Sequence, residues 1–238
     1  MTIIFDQIPS NLLVPGVYTE ANFKRAGAAT NSIPKRALLV GQRLTAGTVA
    51  TGLPYRIFDA SDAEEKSGAG SMLAEMAAVF KSANKYCELW GIGMDDNAGG
   101  VFATGTITVT GPATATGTLA LLIAPYWVGS ELRGRYLVPV TSGASATVIA
   151  AAISAAVTAD PYRSVTTSPA VGVVTCTARH KGTQGNNIVA LHSYFAGEKL
   201  PAGVGVTISV FASGATNALV STAITNICLL YTSPSPRD

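Results

Sequence analysis

The sequence predicts an α+β protein of more than one domain, with an N-terminal extended arm, part of an α/β core and a mostly-β domain. Three changes of pattern lead to this prediction. Residues 1–34 contain three prolines and little hydrophobic periodicity, and residues 35–100 alternate between strand and helix patterns. Residues 101–214 carry short segments rich in Thr, Val and Ile, separated by turn-forming residues, which is typical of a mostly-β domain.

The arm contains one extended pattern, Val14-Pro15-Gly16-Val17-Tyr18-Thr19-Glu20. Pro-Gly followed by alternating apolar and polar residues is typical of a turn that leads into a strand. Since no partner strand lies nearby in the sequence, this strand must pair elsewhere. Two interpretations stay open: an edge strand of its own domain, or a strand added to the sheet of a neighbouring subunit.

Residues 35–100 predict two strands, a helix and a third strand. The strands are predicted over Ala37–Gln42, Tyr55–Phe58 and Glu88–Met94, and the helix over Ser71–Asn84. This order is that of an α/β fold.

The predicted helix has the clearest local signals in the chain. Ser71 can cap its N-terminus, and Glu75 lies in the first turn, where negative charge is favourable. Its apolar positions repeat at helical spacing: Met72, Leu73, Met76, Ala77, Val79, Phe80 and Ala83. Upstream, Ser61-Asp62-Ala63-Glu64 has the form of a capping box and predicts another helical turn.

Turn-forming residues at 95–100 predict the boundary of the mostly-β domain. Its strands are predicted at Gly105–Thr110, Thr118–Ala124, Tyr136–Val140, Ala170–Arg179, Ile188–Tyr194 and Val204–Phe211. One Ala-rich helix is predicted over Ala146–Ala159, where Pro161 closes it.

The end of the chain predicts two short pieces. Residues 215–227 start a return to the α/β core, with a helix beginning over Asn217–Ile227. Residues 228–238 resemble the translation of one frame of a transposase-type sequencing adapter. We therefore interpret them as an artefact joined to a truncated gene and exclude them from fold reasoning.

The composition indicates a protein that packs into an assembly. Charged residues make up only 13% of the chain, whereas 48% of it is hydrophobic, so little charge repulsion keeps copies apart. The net charge is +2, and the Lys and Arg residues are scattered one or two at a time. This pattern predicts neither a basic stripe that binds nucleic acid nor a polybasic membrane anchor. With no signal-peptide pattern and no apolar run long enough to span a bilayer, we expect a soluble protein made in the cytoplasm.

The residues predict no catalytic site and no cofactor. A nucleophilic mechanism needs a base, and the only two imidazoles are those of His180 and His192. His180 lies in a Gly-rich loop that indicates a solvated surface, and His192 lies in a predicted strand. Neither GxSxG nor HExxH occurs, and Gly68-Ala69-Gly70 lacks the third glycine of a dinucleotide loop.

The residues predict no metal site either. The cysteines lie far apart, which indicates neither disulfides nor zinc, and we interpret Cys87 and Cys176 as small buried apolar residues. Asp95-Asp96-Asn97 lacks the glycine and final glutamate of a calcium loop, so we interpret it as an interdomain turn. The loop Lys181–Asn187 could recognise a ligand, but its Gly and Asn residues favour a plain turn with positive φ.

Several stretches together resemble the tail sheath proteins of Mu-like contractile phages. They are Phe5–Asn11, Val14–Glu20, Ala37–Arg43, Gly47-Thr48, Gly70–Leu73, Asp95–Asn97, Gly105–Gly111 and Ala178–Asn187. The resemblance covers nearly everything before Cys228, and it corresponds to the N-terminal portion of such a protein.

The resemblance implies a structural subunit of the virion that is made in the bacterial cytoplasm. It implies hexameric rings or a helix of identical subunits around a tail tube, attached to a baseplate, linked by terminal arms, and contracting to deliver the genome. The implied core is called subtilisin-like for its shape, and it carries an inserted β-rich domain. With this resemblance, Val14–Glu20 is predicted to be the intersubunit strand.

Two alternative functions stay open. One is the sheath of a related contractile injection machine. The other, from a different class, is a β-rich adhesion or carbohydrate-binding module, for which the adjacent aromatic residues Tyr126-Trp127 in the β-rich part are the candidate binding pair.

Overall fold

A computed structural model describes residues 16–17, 36–125 and 134–232. The strands are β1 Arg36–Gln42, β2 Pro54–Ile57, β3 Glu88–Met94, β4 Phe102–Thr110, β5 Gly117–Pro125, β6 Arg135–Val140, β7 Val165–Ala170, β8 Val173–Lys181, β9 Ile188–His192 and β10 Gly205–Ile208. The helices are α1 Ala60–Ser67, α2 Met72–Ala83, α3 Ala146–Ala159 and α4 Ser221–Thr232, and Thr183–Asn187 forms a 3-10 turn. The predicted α+β class is confirmed.

The α/β part, residues 36–100, is built on a three-stranded sheet in the order β1-β3-β2. β1 and β3 are parallel and in register from Arg36↔Glu88 to Gln42↔Met94, and β2 pairs antiparallel with β3. α1 and α2 contribute to a hydrophobic cluster with this sheet. Its fully buried side chains include Leu73 and Leu89. Of the predicted apolar stripe of α2, Leu73 and Ala77 are buried, whereas Met76, Val79 and Ala83 are exposed.

Local capping explains where these helices begin. The Ser71 side chain caps α2 as predicted, since its oxygen accepts from the Ala74 N–H. The capping box predicted at Ser61 is wrong. α1 begins earlier because the Asp59 side chain accepts from the Asp62 N–H at 2.8 Å, so Ser61 already lies within the helix.

The β-rich part, residues 101–214, contains two antiparallel sheets, β10-β4-β8-β7 and β6-β5-β9. α3 contacts β7 and β8 of one sheet and β6 of the other. A second hydrophobic cluster fills the space among them, with Ile107, Leu121, Ile153 and Val174 almost fully buried. Ala146–Ala159 is helical over the predicted bounds, with Ser145 as its cap.

The strand predicted over Ala170–Arg179 begins later, at Val173, and the strand before it, β7, was not predicted. The chain forms a hairpin there, with β7 ending at Ala170 and β8 beginning at Val173. The turn between them places Val171 at φ 42° and Gly172 at φ 80°. A β-branched residue rarely adopts positive φ, so sequence patterns do not indicate a turn at this point.

Other predicted bounds differ by a few residues. β4 begins three residues earlier than predicted, at Phe102, and β9 and β10 end earlier, at His192 and Ile208. α4 begins at Ser221 rather than Asn217. Cys176 is fully buried as predicted, whereas Cys87 is only half-buried.

The two ends of the β-rich part lie side by side. Val101 and Ala215 form an antiparallel bridge, and Thr104 and Ala212 form another. Beyond this point the Asn226 side chain of α4 donates to the Gly52 carbonyl of the α/β part at 2.6 Å. None of the helices in the described part of the chain is long and apolar enough to cross a membrane.

Candidate assembly strand and the joint at the end of β8

The predicted intersubunit strand falls largely outside the described residues. Of Val14–Glu20, the structure describes Gly16 and Val17, and both are exposed. Val14, Pro15, Tyr18, Thr19 and Glu20 lie outside the described residues. The pairing of this strand therefore stays a prediction.

Within the described residues, polar contacts between the α/β part and the β-rich part gather at the end of β8. Arg179, His180 and Lys181 follow one another there, and each contacts the α/β part. We call these three residues, with the groups they contact, the β8 joint. It was missed by the sequence interpretation, which placed His180 on a solvated surface.

The Arg179 side chain donates hydrogen bonds to backbone carbonyls of both parts. Its Nη1 donates to the Ala69 carbonyl ahead of α2 at 3.1 Å, and to the carbonyls of Pro161 and Arg163 in the β-rich part at 3.1 and 3.2 Å. Burial, followed by the nearby charge of Arg163, lowers the pKa of Arg179. A guanidinium still stays charged in proteins, so these are charge-assisted hydrogen bonds.

Gly70 leaves the space that Arg179 occupies. A Cβ at Gly70 would lie 2.5 Å from Arg179 Nη1 and 3.0 Å from the Pro161 carbonyl oxygen, and Gly70 has φ +72°. A side chain at this position would therefore meet both a steric and a backbone conflict. At Gly70 the backbone of the Gly68-Ala69-Gly70 segment lies close to the Arg179 side chain. The segment is therefore a contact within the protein and not a phosphate loop.

His180 links the N-terminus of α2 to Asp96. The Met72 N–H, in the first turn of α2, donates to His180 Nε2 at 3.2 Å. Nε2 is therefore an acceptor, which puts the ring proton on Nδ1, 3.4 Å from Asp96 Oδ1. The His180 side chain is only 14% exposed, so the predicted solvated surface is wrong, because the ring is enclosed between the two parts.

Asp96 collects the remaining contacts of the joint. Its carboxylate accepts from Gln42 Nε2 at 2.7 Å and from the Lys181 N–H at 3.0 Å, and Gln42 also donates to the Lys181 carbonyl. Burial raises the pKa of Asp96, but hydrogen bonds from His180, Lys181 and Gln42 outweigh it and lower the pKa overall. Both oxygens are engaged within the protein, which favours the predicted turn over a calcium loop.

The loop after β8 forms hydrogen bonds with the segment of this chain that leaves the β-rich part. The Asn186 side chain exchanges two hydrogen bonds with the Gly214 backbone, at 2.8 and 3.0 Å. Asn217 Oδ1 accepts from the Thr183 N–H at 2.8 Å, and Gly182 has φ +116°. The Lys181–Asn187 loop thus engages this chain's own backbone. The predicted positive φ is found at Gly182, whereas Asn186 and Asn187 lie in the 3-10 turn without it.

A further contact between the two parts lies away from the two places where the chain passes from one part to the other. The Tyr162 hydroxyl of the β-rich part donates to Glu64 Oε2 of α1 at 3.1 Å.

Among the described residues, no group of three or more His, Cys, Asp or Glu side chains could hold a metal ion. The arrangement can therefore connect and orient two parts of a protein, and His180 holds a structural position in it.

Comparison with known proteins then points to one family. No protein-family model matches the chain. The chain is 35% identical over 227 residues to the Mu-like prophage FluMu tail sheath protein of Haemophilus influenzae. The match covers 95% of this chain and 45% of that protein, so the chain spans less than half the length of this relative. The resemblance to a portion of a Mu-like tail sheath protein is confirmed.

Proposed function

We propose that this chain is the N-terminal portion of a structural subunit of a contractile phage tail sheath. The observation that carries the proposal is the 35% identity to a Mu-like tail sheath protein over 95% of the chain. The low charged fraction of 13% supports it, because weakly charged surfaces favour packing between copies. The same relative favours neither an adhesion module nor an enzyme.

The proposed organisation is an arm, residues 1–34, a partial subtilisin-like core, residues 35–100, and an inserted β-rich domain, residues 101–214. Residues 215–227 would return to the core. Two features support an insertion. The ends of the β-rich part lie together at the Val101↔Ala215 bridge, and the two hydrophobic clusters share no residue in the described part of the chain.

In the assembled virion, we expect copies of the full subunit to form hexameric rings or a helix around the tail tube and to attach to the baseplate. Val14–Glu20 would add a strand to a neighbouring copy. A strand without a local partner presents unpaired N–H and C=O groups that a neighbour's sheet edge can satisfy. Each such hydrogen bond contributes about 0.5–1.5 kcal/mol net, so several of them per contact, repeated along the lattice, connect the sheath.

The test uses the full-length protein and replaces Val17 with proline. Proline removes one donor from the ladder and is tolerated only where that donor faces away from a partner. We expect Val17→Pro, like deletion of Met1–Glu20, to leave the monomer folded by circular dichroism and to abolish tubes in electron micrographs. The matched control is Val17→Thr, which keeps the β-branched side chain and the backbone donor.

The outcomes distinguish a strand that links two copies from a strand that packs within its own copy. Tubes from both Val17→Pro and the deletion variant would show that the arm does not link copies. Tubes lost in the Val17→Thr control as well would assign the effect to the side chain instead of the ladder.

A further inference from the structure

We propose that the β8 joint is the element that holds the β-rich part in one orientation on the α/β part. The inference concerns a single copy of the chain and does not depend on assembly. It rests on the placement of Arg179, His180 and Lys181, the nature of their partners, and the separation of the two hydrophobic clusters.

The covalent connections alone leave the orientation free. The chain enters and leaves the β-rich part side by side, at the Val101↔Ala215 bridge. Two adjacent connections fix where the parts meet, but they still allow one part to swing about the line between them. A fixed orientation needs further attachment points away from that line.

The joint supplies such points in a row along β8. Lys181 lies at the connections, where it pairs with Phe102. Arg179 lies two residues back along the strand, about 7 Å away at the usual rise of a strand. Tyr162, which bonds Glu64, lies on the segment that leads into β7, the next strand of the sheet. The attachments therefore extend from the connections across the sheet.

The partners in this row are mostly rigid. Arg179 bonds three backbone carbonyls, and His180 accepts from a backbone N–H at the start of α2. Lys181 takes part through its own backbone, with Asp96 and Gln42. Gln42 is only 4% exposed, so its amide has little freedom to turn away. Such contacts hold a geometry more strictly than surface ion pairs between long side chains do.

Shared apolar packing does not replace these contacts. The cluster around Leu73 and Leu89 and the cluster around Ile107 and Val174 have no member in common among the described residues. Each part can therefore keep its own core when the joint is removed. Domains connected without a large apolar interface move relative to each other by default.

The experiment measures the distance between the two parts in this chain by pulsed electron spin resonance. Spin labels are attached at Val79→Cys on α2 and Val148→Cys on α3, since these residues are 70% and 57% exposed on helices. Cys87→Ser and Cys228→Ser remove two further thiols, and the buried Cys176 stays unlabelled. The labelled protein is compared with Arg179→Ala/His180→Ala in the same background.

The matched control is Arg163→Ala/His192→Ala. It removes the same two residue types from the β-rich part, and the Arg163 side chain donates to the carbonyls of Thr158 and Asp160, both within that part. The Arg163 carbonyl that Arg179 uses is unchanged by this substitution. We expect one narrow distance distribution for the parent and the control, and one at least about twice as wide for the joint variant.

Hydrogen exchange on the same variants tests whether the β-rich part stays folded. In Arg179→Ala/His180→Ala, amides of β4, β8 and α3 should stay as protected as in the parent, because their core is intact. A distribution as narrow as the parent's would overturn the proposal. Loss of protection throughout the β-rich part would also overturn it, since Arg179 and His180 would then act in folding that part and not in orienting it.

Discussion

Gly70→Ala is the sharpest test of the geometry around Arg179. Gly70 has φ +72°, and its missing Cβ would lie 2.5 Å from Arg179 Nη1. The added methyl group cannot move, because the Pro161 carbonyl oxygen and the Tyr162 Cα would lie 3.0 and 3.1 Å from it. The guanidinium must therefore shift and give up bonds to the Ala69 and Pro161 carbonyls.

Two costs add in this variant. A non-glycine residue in the left-handed region costs about 1–2 kcal/mol. Loss of hydrogen bonding by the Arg179 guanidinium adds about 1.5–3 kcal/mol, the usual range for a charged donor. We therefore expect Gly70→Ala to lower the free energy of unfolding by about 3–5 kcal/mol.

Gly143→Ala is the matched control. Gly143 has φ +83°, and a Cβ there would meet nothing within 4 Å, so only the backbone cost of about 1–2 kcal/mol applies. The difference between the two variants reports the close contacts at Gly70, of which the contact with Arg179 Nη1 is the shortest. At about 2–4 °C per kcal/mol for a chain of this size, Gly70→Ala should melt roughly 3–12 °C below Gly143→Ala.

The assay is thermal unfolding followed by circular dichroism, with urea unfolding as a second measure of the free energy. Equal losses of stability in Gly70→Ala and Gly143→Ala would refute the reasoning, because the Arg179 contact would then contribute nothing. In an Arg179→Ala background, Gly70→Ala should cost less than it does in the parent, since the 2.5 Å contact with Nη1 is gone and only the contacts with the Pro161 oxygen and the Tyr162 Cα remain.

Two further predictions concern titrating groups. Burial raises the pKa of Cys176 to about 11, so in a Cys228→Ser variant a thiol reagent at pH 8 should modify the half-buried Cys87 and reach Cys176 only after denaturation; rapid modification of both thiols in the native protein would contradict it. The pKa of Asp96 is lowered in the folded protein, so its contribution to stability is present above the unfolded value of about 3.9 and is lost as the pH falls through the folded value. The stability difference between the parent and Asp96→Asn, measured by urea unfolding, should therefore shrink from pH 7 to pH 3, and a constant difference would show that Asp96 acts without its charge.

Elements with regular hydrophobic patterns were predictable from the sequence. Glu88–Met94 and Ala146–Ala159 have the same bounds in the prediction and in the structure. Both combine an apolar pattern with clear end signals, turn residues for the strand and Ser145 for the helix. β7 lacks such a pattern, since Thr166, Thr167 and Ser168 replace the aliphatic residues expected in a strand.

The joint could not be predicted in the same way, because its partners are distant in sequence. Gln42 and Lys181 are 139 positions apart, and Arg179 and Ala69 are 110 apart. Single polar contacts of this kind have no period along the chain. One signal was available, the consecutive Arg179-His180-Lys181 at the end of a predicted strand, but charged residues at that position indicate solvent exposure just as well.

The start of β1 and the joint lie at opposite ends of the sheet. The arm joins β1 at Arg36, whereas the joint contacts the other end of β1 at Gln42. Six steps of a strand place these ends about 20 Å apart. Because β3 runs parallel, Met94 ends beside Gln42, so the connection to the β-rich part leaves from the joint's end of the sheet. A force applied at Arg36 would therefore enter the sheet at the end of β1 that lies opposite Gln42 and the joint. Deleting the arm should consequently leave the distance distribution between α2 and α3 unchanged, and removing the joint should leave Arg36 paired with Glu88.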